Sequence, residues 1–359
     1  MQTLTYTFKI LCISGCWQPP SWLSTHQRIA YNAYTIIAVI VLHTFTFSQF
    51  LDLIINVDNQ DDFSDTLYTF LTMLVSCSPF APMNKDEINI RERFDKIANN
   101  VFLTVTTLFI FSRLNTIRYV TMVEFTACSI VLTSFFVNFG KRELAFRAWL
   151  PYNYNSMILF PFTFIHQGVA FVLDSLIHVG CDCLICGLMV HVCGQIHVLF
   201  HRLENIKGDG NRSLKLCAHH HDRIYRFAAK VNKDFKGIIF LQFFVSTLVV
   251  CFSLYQITKT KAFSWKFLQI FSYMFCMLTQ IFVYCWYGNE IKSREIINVA
   301  FGFSWTTLNY DSKKMLLMIM RRATLPIEFT SAAIVSLNLD SYVNLLKTSY
   351  SVYNMLQQA

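Results

Sequence analysis

Charge, glycine and proline are all scarce in this chain. Of its 359 residues, 14% are Asp, Glu, Lys or Arg, against about 25% in a typical soluble domain. That shortage excludes an ordinary water-soluble domain. Eleven Gly and seven Pro are too few to punctuate the many short strands of a barrel. Long helices are therefore the expected way to satisfy the backbone in lipid. No nucleophile elbow, glycine-rich phosphate loop or His-Glu-x-x-His run occurs, so nothing points to an enzyme, a metal or a cofactor. The half-chains do not repeat, and no paired spans are broken by Gly or Pro, which argues against a secondary transporter. The N-terminal MQTLTYTFKILCISGCWQPP lacks a basic start and carries Lys9 inside its apolar part. It reads as a cytosolic lead-in helix and not a signal peptide.

What is present is apolar. Hydrophobic residues make up 54% of the chain, Phe alone occurs 35 times, and the mean hydropathy is +0.41. A helix needs about 20 apolar residues to cross a bilayer core. Such runs occupy 31–56, 63–83, 117–139, 157–200, 237–258, 266–289 and 329–356. The expected fold is thus a single all-α, seven-span membrane domain covering 1–359, with residues 1–30 as its N-terminal segment. A shorter helix is expected at 313–325, ending at Pro326. It carries Lys313, Lys314, Arg321 and Arg322. The net charge of +8 reflects loops that set topology, not nucleic-acid binding.

Most Lys and Arg outside the spans fall on one side: in 85–96, in 201–236, and at Lys292, Arg294 and the short basic helix. The opposite side has Lys141, Arg142, Arg147, Lys259, Lys261 and Lys266, and its 58–65 loop carries four Asp and no base. The positive-inside rule puts the N-terminus in the cytosol and, after seven spans, the C-terminus outside. A G-protein-coupled receptor has the opposite topology. The chain also lacks an Asp-Arg-Tyr run after its third span and an Asn-Pro-x-x-Tyr in its seventh, so that class remains only the alternative.

Nine of the twelve cysteines (Cys77, Cys128, Cys181, Cys183, Cys186, Cys193, Cys251, Cys276 and Cys285) lie in apolar runs, where they read as small core residues and not bridges. The CDCLIC run with His178, His191, His197 and His201 offers some i, i+4 pairs, but its cysteines are spread around the helix and packing explains them better. The triplet His219–His221 sits in an expected cytosolic loop.

In the last span, Asp340, Asn344, Lys347, Ser351 and Asn354 form one polar stripe along a helix. A lipid-facing helix has no use for such a stripe. It must meet water or a partner, or a local network in which Asp340 neutralises Lys347.

The C-terminal third resembles an insect odorant receptor of the ligand-tuning kind. The matching stretches are YCWYGNEIKSREI (284–296), FSWTTL (303–308), KKMLLMIMRRATLPIEFTSA (313–332) and SLNLDSYVNLLKTSYSVYNMLQ (336–357). FRAWLPYNYNS (146–156) and the region 44–77 fit as well. The chain departs from the family's pattern after the second span. SPFAPMNKDEINIRERFDK (78–96) follows directly there, and an extra apolar piece, 100–113, precedes the third span.

The resemblance implies a plasma-membrane subunit of a ligand-gated, non-selective cation channel in olfactory neurons. It would form a heterotetramer with the odorant receptor co-receptor and bind a small neutral volatile ligand. Matching on Tyr350 puts the family's outer gate at Tyr353 and Leu356, with Lys347 on the polar stripe beside a wetter crevice against the bundle. The outer halves of the spans offer Tyr68, Thr72, Thr133, Phe136, Phe164, Gln167, Tyr273 and Met277 for an apolar ligand pocket without charge. On the basic helix, Met315, Leu316, Met318, Ile319 and Met320 spread too widely for a helix lying on water. They are expected to join subunits, to pack on the inner ends of the chain's own fourth to sixth spans, or both.

Overall fold

The computed structural model describes residues 5–19, 24–55, 60–77, 102–206, 211–291, 298, 300–302, 309–331 and 335–358. Among these run nine helices: α1 (Thr5–Ile13), α2 (Thr25–Ile55), α3 (Gln60–Cys77), α4 (Phe102–Asn138), α5 (Leu159–Glu204), α6 (Asn211–Lys259), α7 (Trp265–Asn289), α8 (Tyr310–Ala323) and α9 (Leu339–Gln358). A two-residue hairpin, β1 (Thr330–Ser331) against antiparallel β2 (Val335–Ser336), precedes α9. By length and apolarity, the helical segments Thr25–Ile55, Ile110–Lys141, Leu159–Glu204, Arg212–Lys259 and Trp265–Asn289 can cross a membrane. Helix α3, with Asp61, Asp62 and Asp65, and α9, with its polar stripe, are more polar. Both pack along α6.

Helix α5 organises the bundle. Its apolar residues are spread round its whole circumference, and such a helix belongs inside. From Ile177 to Leu199 it is almost wholly buried, touching α1, α2, α3, α4, α6 and α7. Helix α4 is just as apolar but presents Phe125 and Phe136, 75% and 80% exposed, to the lipid side. At 46 and 49 residues, α5 and α6 would each run about 70 Å. Both therefore project well past a hydrocarbon core of about 30 Å.

Three expectations change. The extra apolar piece at 100–113 is no separate element: from Phe102 onward it continues into the third span as α4. The expected last span starts late, because Thr330–Ser331 and Val335–Ser336 are strands and α9 begins only at Leu339. Asn338 sets that start, its Oδ1 accepting from the Ser341 N–H at 2.8 Å, as an N-cap does. Cys128 is exposed; Cys181, Cys183, Cys186, Cys193, Cys251, Cys276 and Cys285 are buried free thiols. The Cys77 side chain and residues 78–101 lie outside the described residues.

Two close approaches fix the periphery. Leu11 of α1 packs on Gly180 of α5, where a Cβ would sit 2.8 Å from the leucine side chain. At the end of α7, a Cβ on Gly288 would overlap the Leu337 carbonyl oxygen, so glycine there lets the hairpin segment lie against the helix.

His219–His221 lie not in a loop but on α6, in the part that precedes the expected span at 237–258. His220 and His221 are 3% exposed. The His220 Nε2 lies 2.9 Å from the Gln195 Oε1, and the His221 ring packs on Tyr225 at 4.6 Å. Burial first, then nearby Arg202 and Arg223 for His220 and Arg322 for His221, pushes both imidazoles down to about 4. A depressed histidine is neutral when folded, so its contribution is complete above the ordinary pKa of about 6.5 and is lost as the pH falls towards 4. At pH 5 each imidazole should cost about 2 kcal/mol. The detergent-solubilised protein should therefore melt at a lower temperature at pH 5 than at pH 7.5. His221→Phe, which keeps a ring without a titration, should shrink that difference; an unchanged pH dependence would count against these two groups.

Candidate functional site

Asp174, His178 and Asp182 recur at i, i+4 and i+8 on α5 and therefore share one face. Asp182 is 2% exposed and is ringed by donors from three other helices. Its Oδ2 accepts from the Tyr119 hydroxyl of α4 at 2.7 Å. Its Oδ1 accepts from the Gln242 amide of α6 at 2.6 Å. From α7 the same oxygen takes the Gln280 amide at 3.1 Å and the Tyr284 hydroxyl at 2.7 Å. A second Gln280 contact, 2.8 Å, reaches the His178 Nε2. A buried carboxyl is costly unless its oxygens are satisfied, and here four side chains satisfy one.

Beside this knot lies a small cavity of about 50 Å³, lined mostly by apolar groups of α4, α5 and α7 with Thr72 of α3. Val123, Ala127, Ile130, Phe171, Tyr273, Cys276 and Met277 form its apolar wall; Tyr119, Asp174, Ser175, His178 and Gln280 form the polar end. Glu124 stands next to it, both of its oxygens 3.1 Å from the Ser175 hydroxyl. A larger cleft of about 490 Å³ opens toward the 139–158 and 260–264 connections. It is lined by Thr69, Thr133, Glu143, Arg147, Gln256 and Lys266 among others. Ile130, Phe171 and Tyr273 line both spaces and so form the partition between them.

Residues 80–350 match the family model described as 7tm Odorant receptor. The chain belongs to this odorant receptor family. Relatives cover nearly its whole length. Odorant receptor Or1 of Anopheles gambiae is 24% identical over 98% of this chain and 95% of its own. Odorant receptor 46a, isoform B, of Drosophila melanogaster is 23% identical over 98% and 96%. The fold is that of the olfactory receptor OR5 from Machilis hrabei, solved in complex with eugenol. That match has a TM-score of 0.82 at 19% identity and covers 99% of this chain and 97% of the other. The protein is accordingly a multi-pass plasma-membrane odorant receptor of seven-helix architecture, not an enzyme.

Among the residues expected around the receptor's ligand, Thr72, Tyr273 and Met277 meet at the inner cavity. Thr133 lines the outer cleft, as Tyr273 also does. The other described ones lie apart from both spaces. Phe136 faces outward at 80% exposure. Phe164 joins a ring cluster with Phe135, Phe139 and Phe160. Gln167 clamps the backbone of Phe146, donating to its carbonyl at 3.0 Å and accepting from its N–H at 3.2 Å. Tyr68 is on α3, but its side chain lies outside the described residues.

Asp174 and His178, not among the residues expected around a ligand, also line the inner cavity. Their i, i+4, i+8 spacing with Asp182, inside an apolar run, was the available signal. Ionisable groups within a span are functional candidates by default.

On α9, Leu345 and Ser349 take the bundle side, with Ser349 3.5 Å from the Thr247 carbonyl. Asp340, Asn344, Lys347 and Ser351 are exposed. The stripe thus turns away from the receptor's own helices and not into a crevice against them. Tyr350 is 60% exposed and its ring lies 6.0 Å from that of the partly buried Tyr353. The Leu356 side chain lies outside the described residues.

On α8, Leu316 and Ile319 are buried in the receptor's own core, so these two are corrected as subunit contacts, while Met315 and Met320 are partly buried against that core. Helix α8 packs on α6, and the face it turns there carries Leu316, Ile319 and Ala323. What α8 leaves open is Leu317 and Met318, 55% and 64% exposed.

If Asp182 ties the helices together, Tyr284→Phe should destabilise the receptor by about 1–2 kcal/mol. Asp182→Leu, which strands the donors around it, should cost about 3 kcal/mol or more. Thermal unfolding in detergent measures both, and an Asp182→Leu variant that melts with the parent would remove the carboxyl from this role.

Proposed function

We propose that this receptor is the odorant-binding subunit of a heteromeric, ligand-gated, non-selective cation channel, assembled with the odorant receptor co-receptor in the membrane of olfactory neurons. Its N-terminus lies in the cytosol and its C-terminus outside, following the distribution of Lys and Arg. The observation that carries the channel reading is the uncovered polar face of α9. Asp340, Asn344, Lys347 and Ser351 are exposed among the described helices of this chain, and lipid cannot serve them. A hydrated path between subunits can. Tyr353 and Leu356, which the helical period sets roughly opposite that stripe, form the outer gate with Tyr350 and close it by dewetting. The exposed Leu317 and Met318 of α8, with Leu325 beyond its end, supply an apolar surface for the neighbouring subunit.

The ligand site is the inner cavity reached from the outer cleft. The relative OR5 was solved with eugenol, a small organic molecule, and the apolar wall around Phe171, Tyr273 and Met277 suits that class. At about 50 Å³ the cavity is smaller than a ligand pocket of about 300 Å³ or more. The partition of Ile130, Phe171 and Tyr273 therefore moves when a ligand enters, and that displacement is what the bundle passes on to α9.

Cells expressing this chain alone should give little or no odour-evoked current, and co-expression with the co-receptor should restore it across a broad odour panel. Robust currents from the chain by itself would overturn the heteromeric reading. In the same recordings, Tyr353→Lys should reduce cation current at normal surface expression. One such charge opposes a monovalent cation at 4 Å by about 4 kcal/mol at an effective dielectric near 20, less where pore water screens it. Substitutions of Lys347 and Asn344 that alter permeation while those of Tyr353 do not would move the constriction onto the polar stripe.

A further inference from the structure

The polar end of the inner cavity is short of donors. Ser175 gives its hydroxyl hydrogen to Glu124 or to its own helix. Gln280 spends its amide N–H groups on His178 and Asp182. That orientation is forced, because the reverse would set the amide oxygen against the Asp182 carboxyl. Two acceptors on the cavity wall remain buried without a hydrogen-bond partner: the Asp174 Oδ1 and the Gln280 Oε1. Their side chains belong to residues only 5% and 2% exposed. An unmet acceptor in so dry a place is a standing cost; on the same wall Tyr119 gives its hydroxyl to Asp182, and Thr72 and Thr126 give theirs to their own helices.

We infer that the cavity selects apolar ligands bearing one hydrogen-bond donor, an O–H or N–H directed at Asp174 and Gln280, over equally apolar ligands that only accept. This rests on the reading of the cavity as the odorant site. Shape and apolarity alone would treat an alcohol and its methyl ether nearly alike, as they would an amine N–H and its N-methyl form. A site with orphan acceptors does not. The donor satisfies groups that the ether leaves stranded, and discrimination of this kind exceeds what one methyl group yields in an apolar pocket.

The test uses the receptor co-expressed with the co-receptor and matched pairs of probes. These are 2-phenylethanol with its methyl ether, several further aryl-alkanols with theirs, and tetrahydroquinoline with N-methyltetrahydroquinoline. Phenethylamine, a cation at neutral pH, separates charge from donation. The protic member of each active pair should be about ten- to a hundredfold more potent. Phenethylamine ahead of 2-phenylethanol would assign the preference to a full ion pair with Asp174; equal potency would assign it to donation alone. In Asp174→Leu the potency ratio within each pair should collapse toward one. The parent ratios need no variant, so a misfolded Asp174→Leu leaves the inference exposed to refutation. Pairs that are equipotent on the parent receptor would overturn it and leave the cavity as the odorant site. Responses to the probes that are indifferent to Tyr273→Ala and Met277→Ala would instead remove the cavity as the site, and this inference with it.

Discussion

The Asp182 carboxyl is the constraint on which the bundle depends. Between helices in lipid there is little hydrophobic drive, because the acyl chains are as apolar as the leucines they would replace. Close packing and polar contacts must set which helix faces which. Asp182 gathers Tyr119, Gln242, Gln280 and Tyr284, one or two groups from each of α4, α6 and α7, around the central helix α5. A rotation of any of these helices by one residue would swing its donor about 100° away and strand both partners. The knot therefore fixes helix phase as well as helix contact.

The cavity follows from that arrangement. His178 and Asp174 stand on the same face of α5 as Asp182, about one and two turns before it, so the face that ties the helices also supplies the polar end of the space between them. Gln280 belongs to both, linking His178 at the cavity wall to Asp182 in the knot. Tyr273 of the partition stands on α7, and α7 also carries Gln280 and Tyr284. Helix α9 packs against α6 and α7, the Gly288–Leu337 contact being the closest of the approaches at its base. Cavity, knot and last helix are thus joined through continuous packing of α7.

The two ends of the molecule do different work. Toward the 139–158 connection, Gln167 holds Phe146 in place, and Arg147 lies 3.7 Å from the Asp52 carboxylate, so the rim of the outer cleft is built from named polar contacts. At the opposite end, α5 and α6 run on beyond the span together. There His220, His221 and Tyr225 pack into the core, and Tyr225 ties the chain after α8 through its hydroxyl, 3.2 Å from the Leu325 carbonyl. The Arg322 guanidinium lies 4.9 Å over the Tyr225 ring, a cation–π contact. This anchor orients α8 so that Leu316 and Ile319 turn inward and Leu317 and Met318 outward.

The sequence by itself determined the class, the number of helices and the family. Those properties follow from composition, from run length against bilayer thickness and from short local motifs, each legible in one dimension. It also revealed the polar stripe of α9, since a helical period needs no partner to be seen. Only the tertiary structure decided which way each face points. Leu316 and Met318 are equally apolar on paper, yet one is buried and the other open because α6 covers one side of α8. Phe136 reads like Phe171, but α4 turns it to lipid. Asp174 and His178 entered the cavity unannounced, because what a side chain meets across a helix interface depends on the phase of two helices at once, and a single sequence states the period of each helix but not the angle between them.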